Sequence, residues 1–117
     1  MVSATGDCME CAEQSKGLSS LHDDYNARGL VIINIFYTDD HGSRKQDDVL
    51  KYALSFKNYH DLKIHVVADP GQGIMSDFHN EVPFTMMLDS RMVIQYKLEG
   101  AVPEESKLRA YIEKLLP

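Results

Sequence analysis

Eight consecutive residues, Leu30-Val31-Ile32-Ile33-Asn34-Ile35-Phe36-Tyr37, are mostly β-branched or aromatic and carry almost no polar break. A strand of this kind is usually buried on both faces, so it belongs inside a parallel sheet under helices. The flanking segments read accordingly. Before the run, residues 8–28 read as a helix, with Leu18, Leu21 and Tyr25 at helical spacing and Ala12 near the same face. Gly17 weakens the middle of that helix, and Gly29 is a natural stop. After the run, residues 38–44 are polar, contain Gly42 and form a loop. Residues 45–58 then read as a second helix, with Val49, Tyr52, Ala53 and Phe56 on one face.

Further on, residues 62–68 alternate. Leu62, Ile64 and Val66 point one way, and Lys63, His65 and Val67 the other, which predicts a half-exposed edge strand. Asp69-Pro70-Gly71 ends it, and a short helix over about residues 73–79 follows. Residues 82–88 read as a strand despite Pro83, Asp89-Ser90-Arg91 as a tight turn, and residues 92–98 as the return strand of a hairpin. Pro103 stands where a first helical residue would be, before Glu104 and Glu105; Leu108, Tyr111, Ile112 and Leu115 make the apolar face of the last helix. At the front, residues 1–4 read as the end of a strand that looks truncated and runs into Thr5-Gly6-Asp7. This order predicts an α/β fold. A mixed central sheet of about five strands is flanked by helices on both faces, its first three strands parallel through right-handed crossovers. A chain of 117 residues without repeat or linker fits one domain, residues 1–117.

The net charge of −6 argues against a nucleic-acid partner, since such binding leans on clustered Lys and Arg. No apolar run approaches the ~20 residues that span a bilayer, and no leader pattern follows Met1. The two cysteines are Cys8 and Cys11, in Cys8-Met9-Glu10-Cys11. A bridge closing so short a loop restrains the unfolded chain little, so the pair is better explained by chemistry than by stapling. The motif lies where a strand gives way to a helix. There, free backbone N–H groups and the helix dipole favour a thiolate. Cys8 is then the nucleophile, and Cys11, one turn inside, the resolving thiol that attacks the mixed disulfide. Zinc would need two more Cys or His ligands at close spacing, and His22, His41, His60, His65 and His79 are scattered; no metal site is expected.

The chain resembles the thioredoxin superfamily, and within it the TlpA/ResA-like and AhpC/TSA-related redoxins. The resemblance rests on Ala4-Thr5-Gly6-Asp7-Cys8-Met9-Glu10-Cys11, the buried strand ending at Asp39, Val66-Val67-Ala68-Asp69, Val82-Pro83-Phe84-Thr85-Met86-Met87-Leu88-Asp89, and Glu99-Gly100 before the last helix. It spans essentially the whole chain and implies a thioredoxin-like fold. It also implies that Pro83 is the cis-proline facing the cysteines, with the Val82 backbone pairing with a bound peptide. The implied activity is reduction of protein disulfides by dithiol exchange, as a monomer, with no cofactor beyond the redox pair itself. The implied partners are a disulfide-containing protein and an upstream thiol reductant. TlpA/ResA relatives act in the bacterial periplasm or another extracytoplasmic space, and thioredoxins in the cytoplasm.

Two departures from the family pattern bear on the chemistry. Asp7 replaces the aromatic residue that usually precedes the first cysteine, and the intervening dipeptide is Met-Glu with no proline. Asp7 and Glu10 thus surround Cys8 with carboxylates. They raise the thiolate pKa and make the couple more reducing. The buried acid that assists proton transfer in thioredoxins has no counterpart before Cys8, which leaves Asp39 or Asp40 as substitutes or as solvated loop charges.

Two other readings stay open. Thr5-Gly6-Asp7-Cys8 has the Thr-x-x-Cys spacing of peroxiredoxins, although Met1 stands where their proline would be; Arg91 is the candidate for their peroxide-polarising arginine. A non-catalytic redox or metal-delivery module on the same fold is the other. The Cys-x-x-x-Cys of copper-chaperone relatives is one residue longer than the spacing here, and Met86, Met87 and Met92 read more simply as hairpin core.

Overall fold

The computed structural model describes residues 1–5, 9–71, 73 and 84–116, with side chains for these apart from residues 2–5, 9–13, 15 and 16. The chain runs β1 (Val2–Thr5), α1 (Met9–Tyr25) with a 3₁₀ turn (Asn26–Arg28), β2 (Ile33–Phe36), α2 (Gln46–Tyr59), β3 (His65–Ala68), β4 (Phe84–Leu88), β5 (Ile94–Glu99) and α3 (Glu105–Leu115). The strands form one sheet in the order β3-β2-β1-β4-β5. β1, β2 and β3 are parallel, whereas β4 is antiparallel to both β1 and β5. The apolar run thus supplies an interior strand, and the alternating segment supplies an edge, as their patterns predict.

β1, β2 and β3 step across the sheet in one direction. Right-handed crossovers therefore put α1 and α2 on the same face. The core reflects this. Leu18 and Leu21 of α1, Val49, Ala53 and Phe56 of α2, Leu108 and Ile112 of α3, and Phe36 and Met87 of the sheet belong to one buried cluster. Phe36 is fully buried and meets Tyr52 and Phe56 edge-on, with ring centroids at 5.9 and 5.5 Å. Ile35, Phe84 and Met86 form a second cluster with Ile33, Tyr37 and Leu88 packed against it. The helix expected over residues 73–79 lies outside the described residues but for Gly73.

Local chemistry explains most boundaries. Gly29 stops the first helical segment in the left-handed region, at φ 112°, where a side chain would be strained. Asn34, the polar break in the run, is fully buried. Strand β2 is shorter than the run: pairing with β1 starts at Ile33, and Val31, ahead of it, is exposed.

Three expectations are corrected. The β4–β5 connection spans residues 89–93, not a three-residue turn. The Asp89 carboxylate accepts the backbone N–H groups of Arg91 (2.8 Å) and Val93 (3.0 Å), and its other oxygen accepts the Gln95 amide (2.9 Å). These bonds hold the Asp89 carboxyl below its ordinary pKa. Met92 adopts φ 64° in this loop and is exposed, so only Met86 and Met87 of the three methionines are core. The last helix starts at Glu105 with Glu104 as its N-cap, two residues beyond Pro103. Pro103 and Leu108 take the staple positions on either side of that cap. Both are buried and line a cavity of about 160 Å³ shared with Gln14, Gly17, Leu18 and Leu21.

Gly17 yields a test of α1. A Cβ built there meets nothing within 4 Å among the described residues, so Gly17→Ala introduces no clash with them. The substitution is expected to stabilise the protein by about 0.5–1 kcal/mol, by removing the entropic cost of glycine in a helix. A higher urea midpoint with unchanged slope checks this; a lower midpoint refutes it.

Candidate functional site

The parallel strands β1, β2 and β3 end at one pole of the sheet, and antiparallel β4 begins there. The last β1–β4 pairing is Ala4 with Phe84. From this pole the chain leaves β1 at Thr5 and starts α1 at Met9, which leaves residues 6–8 as the junction. Cys11 is the third residue of α1, in the turn whose N–H groups lack intrahelical partners and whose dipole is positive. Across the pairing, Phe84 follows Val82-Pro83 in the chain. Asp7, Cys8, Val82 and Pro83 lie outside the described residues, as do the side chains of Glu10 and Cys11. What the described residues bring together are the flanks of both halves: the end of β1, the first turn of α1 and the start of β4.

One side chain ties two of these flanks. Gln14 is 3% exposed, and its Nε2 donates to the Phe84 carbonyl at 3.4 Å and to the Thr85 hydroxyl. Its Oε1 is buried with no partner among the described residues. Sequence reading missed Gln14, because a polar residue on a helix is assigned to solvent by default. The signal was there. Extending the Leu18, Leu21, Tyr25 stripe backward by four and then three residues reaches positions 14 and 11.

The other candidates divide by position. Asp39 follows β2 at the same pole, and its carboxylate is engaged. It accepts the N–H groups of His41 (2.9 Å) and Ser43 (2.7 Å), closing the loop after the strand. Asp40 is exposed beside His41. Asp69, after β3, accepts the Gly73 N–H at 3.2 Å. Arg91 is exposed in the β4–β5 loop, beyond the far end of β4 from Phe84. β4 is five residues long, so its two ends lie roughly 13 Å apart.

No protein-family model matches the sequence, and no curated protein matches it. Solved structures do. The chain is similar to a candidate thiol:disulfide interchange protein DsbE from Chlorobium tepidum, at 18% identity and TM-score 0.80, over 99% of this chain and 78% of that one. It is similar to StoA from Bacillus subtilis, at 15% identity and TM-score 0.71, over 94% and 78%. It is also similar to a cysteine-to-serine mutant of the peroxiredoxin 6 of Arenicola marina, at 10% identity and TM-score 0.64, over 97% and 59%. The structural neighbours are thioredoxin-like redoxins, and the fold of this chain is thioredoxin-like, as the resemblance implied.

Proposed function

We propose that the protein is a thiol–disulfide oxidoreductase that reduces protein disulfides by dithiol exchange through Cys8 and Cys11. The observation that carries this reading is the meeting of the β1 end, the first turn of α1 and the start of β4 at one pole. The C-x-x-C motif is joined to the first two, and Val82-Pro83 to the third.

The steps balance as follows. The Cys8 thiolate attacks one sulfur of a substrate disulfide; a Cys8–substrate disulfide forms, and the other substrate sulfur leaves as a thiolate that takes a proton. Cys11 loses its proton and attacks the Cys8 sulfur. The Cys8–Cys11 disulfide forms and the second substrate thiol is released. The substrate gains two electrons and two protons, and an upstream dithiol returns them to the pair. A helix N-terminus supports the thiolate form, whereas Asp7 and Glu10 oppose it. That opposition disfavours the reduced pair and makes it the stronger reductant.

Peroxidase chemistry is the weaker reading, because Arg91 stands at the opposite end of β4 from the pole where Cys8 joins the fold. Reduction of insulin by dithiothreitol tests the proposal. Acceleration by the wild-type protein supports it, and a rate equal to background overturns it. Consumption of hydrogen peroxide by Cys11→Ser protein would favour the peroxidase reading instead.

A further inference from the structure

We propose that Gln14 is a positioning residue for substrate binding: its side-chain amide locks the start of β4 to the helix that carries Cys11. This rests on the dithiol-exchange reading and extends it to a residue outside the C-x-x-C and Val82-Pro83 pair. Gln14 lies one helical turn past Cys11 on α1 and donates to Phe84 and Thr85, the two residues that follow Pro83. Phe84 is 2% exposed and Thr85 is fully buried, so solvent does not reach the contact to replace the donor. A disulfide substrate that pairs in extended form with the Val82 backbone depends on where the chain enters β4. The Gln14 bond sets that position relative to α1. Gln14 acts through the β4 backbone, whose Phe84 carbonyl accepts its side-chain amide.

Such a role separates binding from chemistry. Gln14→Met keeps the length and packing of the side chain and removes the donor, and Thr85→Val removes the hydroxyl it serves. Insulin reduction is measured for wild type, Cys8→Ser, each single variant and the double variant, below the melting midpoint of each. Gln14→Met is expected to raise KM about fivefold to tenfold, the worth of one net hydrogen bond, and to leave kcat within about twofold. Thr85→Val is expected to move KM the same way and by no more than Gln14→Met, and the double variant to be no worse than Gln14→Met, because Gln14→Met already removes the bond to the Thr85 hydroxyl. Wild-type activity combined with an unchanged KM in Gln14→Met overturns the assignment alone, whatever the melting temperature does. So does a fall in kcat that matches or exceeds the rise in KM. A wild-type rate no higher than that of Cys8→Ser overturns the dithiol-exchange reading and this assignment with it.

Discussion

Cys8→Ser is expected to bring insulin reduction down to the rate of dithiothreitol alone. A serine hydroxyl stays protonated at neutral pH and does not attack a disulfide, so no partial activity should survive. Cys11→Ser is expected to behave differently. Cys8 still attacks, the mixed disulfide forms, and nothing within the protein resolves it. A covalent complex of protein and substrate should therefore accumulate and be visible on a non-reducing gel. The asymmetry follows from position. Residue 8 immediately precedes α1 in the chain, and residue 11 is the third residue of that helix. Trapping by Cys8→Ser rather than Cys11→Ser would reverse the two roles.

The second large effect concerns the core that holds this pole in place. Phe36 is fully buried, sits on interior strand β2, and packs edge-on against Tyr52 and Phe56 of α2. Phe36→Ala removes the ring from a site whose neighbours are anchored on other elements and cannot collapse into the space. The expected cost is about 3–5 kcal/mol, a large share of the roughly 5–15 kcal/mol that holds such a protein folded. In urea this amounts to a midpoint lower by roughly 2 M. Phe56→Leu, which keeps most of the apolar volume at the 9% exposed neighbour, should cost much less. A Phe36→Ala cost under about 1 kcal/mol would mean that α2 does not pack on β2 in this way.

How much was legible beforehand depends on the kind of signal each element carried. β2, α1 and the apolar face of α3 were plain, because burial on both faces leaves β2 an apolar run that includes Phe36, and burial of one face gives the helices a period that Leu18, Leu21, Leu108 and Ile112 obey. The length of the β4–β5 loop was not, because it is set by the hydrogen bonds of one carboxylate, Asp89, which leave no period. The start of α3 was misplaced for a related reason. Pro103 suits a first helical position, but here it packs ahead of the Glu104 cap. At the site, the C-x-x-C string was visible at once. The expectation of a partner segment at Val82-Pro83 came only through family resemblance, since a strand pairing such as Ala4 with Phe84 has no local signature. Gln14 escaped altogether, because its role depends on a strand 70 residues away.

Titration of the Cys8–Cys11 pair against a glutathione or dithiothreitol redox buffer, with free thiols counted after alkylation, tests the proposed chemistry most directly. A reversible two-electron couple at about −200 mV or lower is predicted, in the range of glutaredoxins and thioredoxin and consistent with carboxylates at positions 7 and 10 disfavouring the thiolate. A midpoint near −120 mV, that of a strong disulfide donor, or a pair that never forms a reversible disulfide, would contradict it.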